Sequence, residues 1–293
     1  MKLLPAAWKK LGEVTGPALR PGGLALTQRA LQFCSFPLSA KIIDAGCGPG
    51  ESLRLISAMG YQALGIDCDP QMVRLASSFG ETMVAPIEQI PLPNGTVDGL
   101  FCECVLNLVT NRSRALTEFG RVLKDGGFLV VSDLITIAQG GPEGLSRPGH
   151  TRSPSQPSQP ANGTEPTHLN ISQAQTIGSA LEADQASLGS SQTAGRPSGG
   201  CVAGAVSRQA LTSEISEAGF EIVLTEDHRP ALTQLAAALV WAYGRNGLAE
   251  LCGLGGNQPD PIRPGGCGFD SSSSQMSYIL VIARPNPNSL KPK

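Results

Sequence analysis

The sequence predicts an α/β fold, a mainly parallel sheet with helices on both faces. Three observations carry this expectation. From Lys41 to Ser132, short apolar runs and amphipathic helical patterns alternate strictly, the order that a parallel sheet with crossover helices requires. One unit, Lys41 to Gly50 (KIIDAGCGPG), joins an apolar run to a helical pattern through the alternating Gly46, Gly48 and Gly50, a turn that offers bare backbone to a ligand's polar groups. Hydrophobic residues make up 41% of the 293, enough for one large core or two small ones.

Taken in order, residues 1–22 read as irregular, interrupted by Pro5, Pro17 and Pro21. Leu24 to Phe33 has the spacing of an amphipathic helix, and the first strand follows, closing on Asp44. Glu51 to Met59 is a helix with Leu53, Leu55, Ile56 and Met59 as its apolar stripe. Tyr61 to Ile66 is a second strand with Asp67 at its end. Asp69, directly before Pro70, caps the next helix, whose core face is Met72, Val73, Leu75, Ala76 and Phe79. Thr82 to Ala85 is a third strand. The Asn94-Gly95 turn introduces a fourth, Val97 to Cys102, and Asn111 to Leu123 is a helix. A turn at Asp125-Gly126-Gly127 leads to a fifth strand, Phe128 to Ser132, ending at Asp133.

Residues 139–200 break the pattern. They are rich in Ser, Pro, Gln, Gly and Thr, and such a composition does not offset its own ordering entropy. The expected organisation is therefore one domain in two parts, 1–138 and 201–293, separated by a largely disordered insertion. In the second part, Ser207 to Gly219 is a helix capped by Ser207, and Phe220 to Leu224 is a strand. Ala231 to Tyr243 is a helix, and a glycine- and cysteine-bearing loop precedes a last strand, Tyr278 to Ala283.

A net charge of −2 gives no electrostatic reason to expect nucleic acid or an anionic membrane as partner. The N-terminal apolar patch is too short for a signal sequence, and no apolar run has the length of a membrane span, so a cytoplasmic protein, monomeric or weakly dimeric, is expected. Eight cysteines without a Cys-x-x-Cys pair give little support to a structural zinc site or to a disulfide framework, and no metal is expected. Two of the three histidines lie within 139–200. The third, His228, reads as a turn or surface residue, with a general base as the alternative.

The spacing D-x-G-x-G-x-G from Asp44 to Gly50 differs from the dinucleotide fingerprint G-x-G-x-x-G and resembles the first motif of class I S-adenosylmethionine-dependent methyltransferases. Asp67 stands where an acid hydrogen-bonds ribose hydroxyls, and the LPNGTVDGL and RVLKDGGFLVVSDL stretches follow in that family's order. The resemblance implies a Rossmann-like sheet of seven strands with the last antiparallel, S-adenosylmethionine as cofactor and a small-molecule acceptor. It carries cofactor contacts to Asp44, Gly46, Cys47, Gly48 and Gly50, to Asp67 and Cys68, to Ile87 and Glu88 in the loop after the third strand, and to Cys102. Pro86 stands where many members have an acid.

Two further segments, CECVLNLV (102–109) and CVAGAV (201–206), resemble arsenite methyltransferases. That resemblance places a trivalent metalloid acceptor on Cys104 and Cys201, and soft centres prefer thiolates; the family's third cysteine lies ahead of the glycine turn, and Cys252 or Cys267 is the alternative source of a third thiolate here. The chain departs from that branch upstream of the glycine turn, where it offers only Cys34. Two other readings stay open. One is a methyltransferase for another small molecule, such as a quinone-like carbon acid or a thiol, with the cysteines structural. The other is a thiol-rich binding or redox protein on the same fold.

Overall fold

The computed structural model describes residues 6–137, 202, 204–251 and 275–286, and the strand that leads into the glycine turn lies in the interior of the sheet. β1 (Lys41–Ala45) pairs in parallel with β2 (Gln62–Asp67) on one side and with β4 (Val97–Glu103) on the other. β3 (Glu81–Val84) lies outside β2; β5 (Leu123–Ile137), β8 (Gln275–Pro285) and β7 (Phe220–Asp227) follow β4. The order is β3-β2-β1-β4-β5-β8-β7, with β8 antiparallel to both neighbours. A two-residue β6 (Val206–Ser207) pairs in parallel with β5, so the described residues form eight strands, one more than the expected seven. The chain reverses direction across the sheet between β1 and β4, and the crevice at their carboxyl ends is where open α/β sheets bind ligands.

Alternation along the strands sorts the core into two layers. Ile43, Leu100 and Leu129 face one side and pack with Leu116 and Phe119 of α5 (Arg112–Val122) and Ile215 of α6 (Arg208–Glu217). Ile42, Phe101 and Val130 face the other, against Leu31 of α2 (Gly23–Cys34) and Leu53 and Ile56 of α3 (Glu51–Ala58). Caps stand where the sequence places them. Asp69 accepts from the Gln71 amide at 2.8 Å to start α4 (Pro70–Ala76), and Ser207 accepts from the Ala210 amide at 3.1 Å to start α6.

The structure corrects the reading of residues 1–22. Ala6–Thr15 is a helix, α1, which fits between Pro5 and Pro17 and packs against α7 (Arg229–Leu251). Tertiary packing supplies what a short, proline-flanked segment lacks locally. β5 is also much longer than Phe128 to Ser132, because it pairs with β4 on both sides of a register shift and with β8 as far as Ile137. Asp133 therefore lies inside the strand, fully buried, rather than at its end. The insertion at 139–200, Cys201, Cys252 and Cys267 lie outside the described residues.

Gly50 sets how closely α3 and α4 approach. It caps α3 at φ 97°, and a Cβ there would stand 2.8 Å from both Cα and Cβ of Ala76. Gly50→Ala is expected to destabilise the fold by about 2–4 kcal/mol through overpacking and positive-φ strain, measured as a lowered denaturation midpoint; an unchanged midpoint would show that the two helices yield freely.

Candidate active site

The glycine turn is tied to the end of β2 by its own backbone. The Gly46 and Cys47 amides both donate to the Ile66 carbonyl, at 2.7 and 3.0 Å. Asp67 braces the arrangement from the neighbouring strand, its Oδ2 accepting from the Gly48 amide at 3.0 Å and its Oδ1 from the Asp69 amide at 2.9 Å. A Cβ at Gly46 would run into Val105, which covers one side of the turn, whereas at Gly48 it would meet nothing within 4 Å. The turn is therefore open on the Gly48 side.

Beside the turn lies a buried charge cluster. Asp44 is 3% exposed, and its Oδ2 has no hydrogen-bond partner. Burial pushes the Asp44 carboxyl up to about 7; Glu103 and Asp67 push the same way and Arg20 opposes them. Glu103, at the end of β4, accepts from Arg20 Nη2 at 2.8 Å, from the Ser52 hydroxyl at 2.9 Å and from the Thr27 hydroxyl at 3.1 Å. Arg20 also donates to Ser52 at 3.0 Å and to Thr27. Sequence reasoning missed both members of this pair. The available signal was Glu103 itself, a charge inside an apolar run, which implies a buried partner; nothing local points to Arg20.

The loop after β4 is held on both sides. Its first residue, Cys104, has φ 59°, unusual for a residue with a side chain, and its amide donates to the Ser132 carbonyl at 2.6 Å. Three residues on, Asn107 donates through its backbone to Asp133 Oδ2 at 3.0 Å and through its side chain to Asp133 Oδ1 at 2.9 Å and the Leu134 carbonyl at 2.8 Å. Burial pushes Asp133 up to about 7 against these donors. Half-buried Cys104 packs in an apolar cluster with Leu26, Leu134, Tyr278 and Val202. Gly204 lies so close to Asn107 that a Cβ would overlap its carbonyl oxygen, and Arg112 donates to the Gly204 carbonyl at 2.9 Å while pairing with Glu214. The segment just after Cys201 is thus docked on the segment just after Cys104.

The other candidates scatter. Cys47 is buried with its Sγ over Gly65, and Cys102 is fully buried in the core, where desolvation raises its thiol well above the ordinary range. Cys68 is exposed. Ile87 packs into the α5 side of the core, and the Glu88 carbonyl accepts from Arg114 at 3.2 Å. His228 Nε2 lies 3.2 Å from Glu226, which also pairs with Arg29. Cys34 lines a cavity of about 260 Å³ with Asp98, Lys124 and Arg284 at the opposite, amino end of the strands, and burial pushes its thiol up to about 12.

Residues 43–131 match the family model described as "Methyltransferase domain". The chain is 30% identical over 110 residues to a malonyl-[acyl-carrier protein] O-methyltransferase of Serratia marcescens, and 31% identical over 98 residues to a demethylmenaquinone methyltransferase of Tropheryma whipplei (strain Twist). The matches take in 36% and 32% of this chain but only 43% and 41% of those relatives, less than half of either. Among solved structures, the geranyl diphosphate C-methyltransferase from Streptomyces coelicolor A3(2), in complex with Mg2+, geranyl diphosphate and S-adenosyl-L-homocysteine, has a TM-score of 0.56 at 12% identity, covering 89% of this chain and 78% of that one. The [4+2]-cyclase SpnF has a TM-score of 0.55 at 19% identity, covering 89% and 81%. At these identities the likeness is one of fold.

The raised Asp44 has a consequence for stability. An unfolded aspartate titrates near ~3.9, so between about pH 4 and pH 7 the unfolded chain releases a proton that the folded chain keeps. Asp44 therefore makes stability fall as pH rises through that window, with Glu103, Asp67 and Arg20 as the charges acting on it. Asp44→Asn is expected to flatten its part of the slope in denaturant titrations at pH 5 and pH 7 without added ligand; a slope equal to the wild type's would place the proton elsewhere.

Proposed function

We propose that this chain, whose residues 43–131 form a class I methyltransferase domain, is an S-adenosylmethionine-dependent methyltransferase acting on a small molecule. The observation that carries the reading is the buried, unpartnered Asp44 Oδ2 beside a glycine turn open at Gly48. A buried carboxylate oxygen without a donor is rare in a folded protein and fits a ligand ammonium. Asp67, held in place by the Gly48 and Asp69 amides, stands at the end of the second strand, where a carboxylate accepts from ribose hydroxyls. Asp44, Asp67 and Glu103 gather three buried carboxyl groups around Arg20, and a cationic ligand beside Asp44 would favour its ionised form.

When bound, the cofactor supplies an electrophilic methyl group on a sulfonium. The residues of the chain hold and align. The apolar cluster of Leu26, Leu134 and Tyr278 at the carboxyl edge keeps water from the acceptor side. An acceptor that brings its own lone pair needs only alignment beside the donor, whereas an alcohol acceptor would need a base such as His228, which Glu226 holds at 3.2 Å. The small molecules handled by relatives and by proteins of like fold differ widely, so the acceptor is argued from this chain alone.

A second reading specifies a soft acceptor, trivalent arsenic held by Cys104 and Cys201. It is favoured by the docking of Gly204 on Asn107, which holds together the two segments that carry those cysteines. Thiolates in an apolar surround bind such a centre and present it for transfer.

Two measurements test these readings. Calorimetric titration with S-adenosylhomocysteine is expected to show binding by the wild type and at least about tenfold weaker binding by a folded Asp67→Ala variant, which loses charge-assisted acceptors; no binding by the wild type would leave the thiol-rich binding protein as the better reading. Under reducing conditions, arsenite is expected to bind the wild type and Cys34→Ser alike, and Cys104→Ser and Cys201→Ser far more weakly; equal binding by all four would leave an ordinary small-molecule methyltransferase.

A further inference from the structure

The cavity at the amino end of the strands plays no part in the site described above. Cys34 and Phe36 line it from the end of α2 and the loop that follows, Asp98 and Lys124 from β4 and β5, and Arg284 from the end of β8. β1, five residues long, separates this end of the sheet from the glycine turn by roughly 16 Å at ~3.3 Å per residue. The apolar wall is held from several sides. Phe36 meets Phe128 edge-on with ring centroids 5.6 Å apart, and Tyr61 in the same way at 6.0 Å. Its ring fills the space that a side chain at Gly99 would take, since a Cβ there would stand 2.5 Å from the ring tip. The buried Cys34 thiol adds a small neutral surface.

The charges around this cavity are settled except at Arg284. Lys124 donates to Asp98 Oδ1 at 2.8 Å and the Lys41 amide to Oδ2 at 2.9 Å, so both oxygens of that acid are met. Arg284 stands directly opposite Glu221 in the β7–β8 ladder, a placement that favours pairing of opposite charges. No ion pair joins them among the described residues; the guanidinium carbon lies instead 4.1 Å from the centroid of the Phe128 ring. Stacking occupies the face of a guanidinium and leaves the N–H groups in its plane available. A planar fork of donors beside an apolar wall fits a carboxylate carried on an apolar body. The volume, about 260 Å³, falls below the ~300–1,000 Å³ of ordinary ligand pockets and limits that body to about one ring. With a single unpaired cation, and the exposed Asp125 also on the lining, the site suits a monoanion rather than a phosphate dianion. We propose that this cavity is a further ligand site, which binds a small carboxylate with an aromatic or short aliphatic body through Arg284, at the end of the sheet away from the glycine turn.

Calorimetric titration of the full chain with benzoate tests the proposal, with benzamide as the neutral isostere and inorganic phosphate as a plain anion. The wild type is expected to bind one benzoate at least about tenfold more tightly than either of the others, as a charge-assisted bidentate contact supports. Arg284→Gln is expected to bring benzoate and benzamide within about twofold of each other. Arg284→Lys, which keeps the charge without the planar fork, is expected to lose most of the preference. Thermal melts of both variants check that the fold is kept. Saturating S-adenosylhomocysteine is expected to leave the wild-type affinity for benzoate unchanged, because the two ends of the sheet are separate. Absence of benzoate binding, phosphate binding as tight as that of benzoate, an undiminished preference in either variant, or loss of benzoate binding on adding S-adenosylhomocysteine overturns the proposal.

Discussion

Three carboxylates buried at the carboxyl edge of three adjacent strands are the constraint that organises this protein. Asp67 and Glu103 close β2 and β4, Asp44 is the last residue but one of β1, and burial makes each costly to leave charged without a partner. Asp67 is met by amides of the glycine turn and of the turn before α4, which fixes the loop geometry on both strands. Glu103 is met by Arg20, Thr27 and Ser52, which brings the segment ahead of α2, α2 itself and the start of α3 over the same edge. Asp44 keeps one oxygen uncompensated and holds its proton more tightly for it. Fold and site share this constraint, because the groups that settle two of the acids are the ones that frame the third.

The crevice beyond β4 is built by a different device. There the loop after β4 is clamped through Asn107 to Asp133 inside β5, and Gly204 lies against it. The left-handed Cys104 at the head of that loop stands between the Glu103 network and the Asn107 network. A residue held in a costly conformation by two satisfied networks is one whose position the surrounding structure over-determines. Its neighbours Leu26, Leu134 and Tyr278 are apolar, so the two sides of the site differ in character, acidic at the glycine turn and dry beyond β4.

The sequence by itself determined the elements whose causes lie within a few residues. Strand–turn–helix alternation, the caps at Asp69 and Ser207, the glycine turn and the acid after β2 all follow from local periodicity, capping and the φ that a tight turn demands. Only the tertiary structure decided the rest. α1 exists because α7 gives its face a partner, and β5 runs to Ile137 because β8 offers an edge to pair with. Arg20 reaches Glu103 across 83 positions of sequence, and Gly204 reaches Asn107 from beyond the 139–200 stretch. No window of sequence contains both halves of such a contact; burial, which makes a charge seek a partner and leaves one oxygen of Asp44 without any, is a property of the assembled sheet edge.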